Sequence, residues 1–162
     1  IANDKSVNIK INLFGDESLA HVTRERVKDI LDNSMLETSS TPAAARLAVI
    51  KTAMLIFSNP DCPENLTCYM PNKKTNEVLA HTSRGWEIVP VSMVINQIGQ
   101  KTIDQLFAKQ PFENADLYTL IMKELQINEL AYITDALLRP IIVRNRGLMV
   151  QAGIPLPKCG AP

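Results

Sequence analysis

Aromatic side chains, glycine and histidine are all scarce in this chain. One tryptophan, three tyrosines and four phenylalanines make up 5% of 162 residues. Tyr69, Trp86, Phe107 and Tyr132 do not group with the basic residues, so the stacking platforms of a nucleic-acid groove are not legible. The six glycines are scattered, and neither a phosphate-cradling loop nor a dinucleotide fingerprint can be assembled from them. No Gly-x-Ser-x-Gly elbow is present, which removes the usual nucleophile turn of a serine hydrolase. Only His21 and His81 offer an imidazole for acid–base work, and a lone histidine is more often a packing or surface residue than a catalyst. The most apolar stretch, residues 41–57, is interrupted by Arg46 and Lys51. A membrane span needs about twenty nearly uncharged residues, so this stretch reads as a buried helix. Residues 1–5 carry no basic stretch leading into an apolar run, so no secretory leader is legible there.

What remains has globular proportions, with 46% hydrophobic and 21% charged residues. Residues 1–162 read as one domain, large enough to bury roughly two-thirds of its unfolded surface without metal or disulfide. Seventeen basic and seventeen acidic residues cancel, but the cancellation is uneven. Arg139, Arg144, Arg146 and Lys158 follow one another with no carboxylate among residues 139–162. Such a basic stripe attracts phosphates or anionic lipid, or simply protects a solvated strand edge. Lys73, Lys74 and Arg84 would extend Arg144 and Arg146 into one anionic-surface patch if the fold joins them.

Cys62, Cys68 and Cys159 are odd in number. Cys62 and Cys68 bracket a short loop that closes as a disulfide in an oxidising compartment, and Asn65-Leu66-Thr67 is a glycosylation triplet. Together they describe a secreted binding domain, against the alternative of reduced thiols. Cys62, Cys68, Cys159 and His81 lack the close ligand pairs of a structural zinc site. Asp29 and Asp32 fall on a solvated helix face rather than across a cleft. No catalytic, metal or cofactor residues are assigned, and no small-molecule substrate is identified.

Along the chain, residues 7–13 alternate apolar and polar side chains and predict a strand. Asp16 or Ser18 then caps a helix carrying Leu19, Val22, Val27, Ile30, Leu31 and Met35 inward. Thr41 and Pro42 open a helix through Phe57 that is apolar nearly all round, hence central. Its Leu47, Ile50, Met54 and Phe57 are expected to cost several kcal/mol each as alanine substitutions. Residues 58–76 read as a long loop. Glu77–Thr82 and residues 86–89 predict two short strands, and Pro90 begins a helix with Gly99 as its weak point. Asn114 and Asn128 each cap a further helix, the second ending at Arg139-Pro140. Ile141-Ile142-Val143 and Leu148-Met149-Val150 flank a Gly147-containing turn and predict a closing hairpin. The tail at 153–162 reads as extended. The sum is an α+β domain, helix-rich, with about five helices and a small antiparallel sheet.

The order of strand 7–13, helix, apolar helix 42–57, long loop and Ala80-His81-Thr82-Ser83-Arg84-Gly85-Trp86-Glu87-Ile88-Val89-Pro90 resembles the first half of rhabdovirus matrix proteins. The end is similar too, with a helix running into Ile141-Ile142-Val143, a charged turn with Gly147 and a last strand. Residues 91–125 differ, reading as helical where that family has strands, and its proline-rich budding motifs are absent. The resemblance covers about half the chain. It implies a non-enzymatic structural protein under a viral envelope that associates with itself, with nucleoprotein and with an anionic membrane face, peripheral to membrane or virion. Without it, the chain reads as intracellular and soluble, or as the secreted domain with Cys62–Cys68 bridged and a glycan on Asn65, or as a small enzyme of unread type using His81.

Overall fold

In the computed structural model, which describes residues 9–72, 74, 76–112 and 116–157, the apolar segment forms helix α2 (Thr41–Phe57). Its N-cap is Ser40 rather than Thr41: the Ser40 hydroxyl accepts from Ala43 N at 3.2 Å, with Pro42 in the first turn where no N–H is needed. The face it buries is small. Ala44, Ala45, Ala48, Val49, Ala53, Ile56 and Phe57 are buried, whereas Leu47, Ile50 and Met54 are only half-buried. Of the four residues expected to cost several kcal/mol each, Phe57 alone is fully buried, while Met54 packs against the core from its edge. Alanines let neighbouring helices approach closely, and α2 packs on all four others: α1 (Arg24–Glu37), α3 (Val91–Ala108), α4 (Asp116–Ile127) and α5 (Asp135–Gln151).

Helix α1 starts later than its sequence suggests, with Thr23 as cap accepting from Arg26 N. The reason lies 47 residues away: Ser18 N donates to Asn65 Oδ1 at 2.9 Å, and Asn65 Nδ2 donates to Ser18 O at 2.8 Å. Backbone groups held by Asn65 are not free to begin a helix. Asn12 Nδ2 donates to the same Oδ1 at 2.9 Å. Beside it Glu17, its side chain fully buried, accepts from Gly15 N at 3.0 Å, Thr67 Oγ1 at 2.7 Å and Lys101 Nζ at 2.9 Å. The predicted strand at 7–13 is described only from Ile9 onward, and residues 9–13 are not a strand. Single bonds hold this stretch and its neighbours, Asn12 N to Glu64 O and Phe14 N to His81 O, each 2.8 Å. Its alternation is nonetheless used, since Ile9 and Ile11 pack into a second apolar cluster.

That cluster lies across a small sheet. β1 (Cys68–Tyr69), β2 (Glu77–Thr82) and β3 (Gly85–Pro90) pair antiparallel in the order β1-β2-β3. Val78 and Ala80 face the helices while Leu79, Tyr69 and Trp86 face the second cluster, the period-two division of a two-sided sheet. The β2–β3 turn passes through Gly85 at φ 99°, a conformation that L side chains rarely adopt. About a third of the expected 58–76 loop is interior: residues 65–70, running into and through β1, are all at most 3% exposed.

Helix α3 follows Pro90 as expected, but Gly99 is a contact rather than a weakness. A Cβ there would lie 2.5 Å from Ile133 Cγ2 and 3.0 Å from Ile133 Cβ. Asn114, the expected cap of α4, lies outside the described residues. Asn128 precedes a 3-10 turn, Glu129–Tyr132, and the helix after it is capped by Thr134. The predicted closing hairpin is replaced by α5, which runs through Pro140 to Gln151. Proline removes one helical hydrogen bond, yet Leu138, Ile141, Ile142, Asn145 and Met149 form one buried face. The fully buried Asn145 also donates from Nδ2 to Phe57 O and Cys68 O, both at 2.9 Å. Tertiary contacts on that face outweigh the local stop signal. The helix ends at Gly153, φ 76°, where Ile154 N returns to Met149 O at 2.9 Å, a left-handed glycine cap with its apolar pair.

Candidate functional site

With α5 helical, the basic residues of the predicted patch part company. Arg144 and Arg146 are about 200° apart around the axis and flank the buried Asn145 on opposite sides. Arg146 lines a groove of about 470 Å³ with Met70, Pro71 and Asn72. Asn72 Oδ1 accepts from Lys74 N at 2.7 Å, so Arg146 and the exposed Lys74 stand at one loop; Lys73 lies outside the described residues. Arg84 is occupied with Glu87 at 3.1 Å on the β-hairpin. Arg139 donates to Asp135 at 2.6 and 2.8 Å and to Asn76 Oδ1 at 3.1 Å. That first contact holds the Asp135 carboxyl below the usual carboxylate range.

Outward from Asn145, α5 shows Ala136, Gly147 and Val150 exposed and Val143 half-buried. This apolar strip has Arg144 along one flank and Arg146 along the other. Among the described residues neither arginine has a carboxylate partner, and no carboxylate follows Asp135 in the sequence.

Arg144 turns toward α2, its Nη1 4.0 Å from Met54 Sδ. There it lines a cavity of about 380 Å³ with Arg26, Asp29, Lys51, Leu55 and Ser58. Lys51 is held by Glu37 at 3.0 Å. Ser58 is 1% exposed, and its hydroxyl has no hydrogen-bond partner among the described residues. Leaving a buried polar group unpaired costs about 1–3 kcal/mol. Arg26 and Ser58 carried no signal in the sequence. One reads as the solvated face of a helix and the other as the residue after one.

Cys62 and Cys68 are separate buried thiols. Cys62 Sγ donates to Glu64 Oε1 at 3.0 Å, and burial, with the Glu64 carboxylate adding to it, pushes the thiol up to about 12. Burial likewise pushes Cys68 up. His21 Nδ1 lies 4.0 Å from Cys62 Sγ while its Nε2 is 2.8 Å from Leu55 O. The pair has the order of a thiol, a base and an orienting group, but with a protonated thiol at neutral pH it is not an activated nucleophile. His81 Nδ1 is 3.0 Å from Asn12 O and its ring is 4.9 Å from that of Trp86. Asn65 is fully buried with both side-chain atoms bonded, so its amide offers no place for a glycan in this fold.

Among the described residues, no group of three or more His, Cys, Asp or Glu is placed to hold a metal ion. No described helix is long and apolar enough to cross a membrane. Comparison with protein-family models, curated proteins and solved structures finds no match to the chain.

Proposed function

We propose that this is a structural assembly protein of the matrix type, which adsorbs to an anionic membrane face through the outward side of α5 and associates with itself. The observation that carries the reading is the strip of exposed Ala136, Gly147 and Val150, with half-buried Val143 at its base, between two arginines that have no carboxylate partner among the described residues. Arginines flanking an apolar strip lay their stems along the surface and reach the phosphates on both sides. This arrangement replaces the expected hairpin and keeps its charge.

Magnitudes make self-association part of the same reading. Each basic residue near an acidic membrane contributes about 1 kcal/mol, so one copy holds weakly, and linked copies multiply the effect. The apolar side chains available for such contacts include Leu120, Ile127 and Leu130 on and after α4, 48%, 67% and 80% exposed.

Flotation with phosphatidylglycerol and phosphatidylcholine vesicles tests the reading. Binding to the anionic vesicles alone, weakened by salt and by Arg144→Glu with Arg146→Glu, is the expected result. A protein that stays monomeric at high concentration and never floats would overturn it.

A further inference from the structure

The cavity between α1, the end of α2 and α5 has a chemistry that adsorption through the outer face of α5 does not use. Its cations are Arg26, Lys51 and Arg144, against the single carboxylate of Asp29. Lys51 is taken by Glu37, which leaves two guanidiniums without carboxylate partners among the described residues. Ser58 lines the same cavity, and its buried hydroxyl has no hydrogen-bond partner among the described residues. Leu55 O, at the negative end of α2, is already contacted by His21 Nε2 and Asn59 Nδ2, so an anion there does not face a bare carbonyl. The remaining wall is apolar, made by Ile30, Met54 and Leu55.

We propose that this cavity binds an amphiphilic phosphate ester, with the phosphate held by Arg26, Arg144 and Ser58 and the apolar body laid on Ile30, Met54 and Leu55. Two forked guanidiniums and a hydroxyl offer more donors than the two oxygens of a carboxylate use, and they suit the several oxygens of a phosphate. The volume, about 380 Å³, has room for more than a bare phosphate and lies within the range of small-molecule sites. A lipid headgroup and a soluble phosphate ester share this chemistry. The inference does not require the outer strip of α5, although Arg144 belongs to both.

The test is calorimetric titration with dihexanoylphosphatidate kept below its micelle concentration, with inorganic phosphate, and flotation with phosphatidylglycerol vesicles alongside. The short-chain ester is expected to bind saturably at one site, and inorganic phosphate at least about tenfold more weakly, because it lacks the buried apolar part. Arg26→Gln and Arg144→Gln should each weaken ester binding about tenfold or more, and Ser58→Ala about threefold. Arg84→Gln, on the β-hairpin and away from the cavity lining, should change it less than about twofold. Unchanged thermal midpoints confirm that the variants fold. Failure of the wild-type protein to bind the ester, or binding indifferent to Arg26→Gln, overturns the site even where vesicles are bound. Ester binding lost in Arg26→Gln, with vesicle flotation absent in the wild type, upholds the site and overturns the membrane reading alone. Equal affinity for phosphate and ester overturns the amphiphilic assignment.

Discussion

Around α2, packing is alanine, valine and phenylalanine against four helices; around Asn65, it is hydrogen bonds and one ion pair joining residues 12–18, 64–67 and Lys101. In the first region the order comes from a repeating apolar face, and most single contacts are replaceable. In the second, each contact is specific to an atom: Asn65 uses both ends of its amide, and Glu17 uses both carboxylate oxygens. Burying polar groups is tolerable only when their partners are all present. The alanine-faced core therefore loses stability in proportion to the apolar volume removed, whereas the polar tie loosens locally when a single partner is taken away.

Phe57→Ala gives the largest expected loss, about 3–5 kcal/mol, because it empties a fully buried aromatic site. Met54→Ala, half-buried on the same helix, should cost clearly less in the same denaturant titration. Parity between the two would break the picture of a core facing the alanine side of α2. Next is Lys101→Met, which leaves the buried Glu17 carboxylate without its cation. Loss of a buried partner costs about 3–5 kcal/mol in general, but the ammonium is partly exposed and two other donors remain, so about 2–3 kcal/mol is expected. Amides of residues 12–18 should then exchange with solvent faster while those of α2 do not, a split that hydrogen exchange reads directly. Equal acceleration in both would show that the two regions open as one.

Gly99→Ala should destabilise by about 1–2 kcal/mol in thermal unfolding, since the clash with Ile133 exceeds what alanine gains as a helix former. Trimming the neighbour with Ile133→Ala in the same chain should return part of that loss. The smallest effect is electrostatic. The Tyr118 hydroxyl donates to Asp32 and holds that carboxyl below its ordinary range, with Lys28 contributing. A depressed carboxylate stabilises the fold above its unfolded pKa, and the contribution disappears as pH falls below about 4. Asp32→Asn should therefore cost under about 1 kcal/mol at neutral pH and flatten the acid limb of a stability profile. An unchanged acid limb would remove Asp32 as a contributor.

The same division explains what the amino-acid sequence reveals by itself. The α+β class, α2, the β2–β3 hairpin and the start of α3 follow from local period, proline and glycine. The start of α1, the interior path of residues 65–70 and the continuity of α5 do not. Each is set by a side chain far away in sequence: Asn65 on Ser18 and Asn12, Asn145 on Phe57 and Cys68. Pro140 and Gly147 were sound local reasons for a break and a turn, outweighed by the buried face Ile141, Ile142, Asn145 and Met149. Cys62, Asn65 and Thr67 had the spacing of a secreted loop, but spacing does not report that Asn65 and Thr67 are fully buried. Of the candidate site, Arg144 and Arg146 were visible as unbalanced charge. Their separation onto two flanks, and the company of Arg26 and Ser58, needed three helices in place.

The bonds of Asn65 and Lys101 also impose an order on synthesis. Ser18 and Asn12 meet their partner 47 and 53 residues downstream, and Glu17 meets Lys101 after 84. A ribosome adding about 5–20 residues per second finishes residues 9–21 several seconds before it reaches Lys101. Until residues 68–90 are made, Ile9 and Ile11 lack the sheet that later covers them, so the earliest stretch of the described chain is among the last to dock, after the sheet and α3 have emerged.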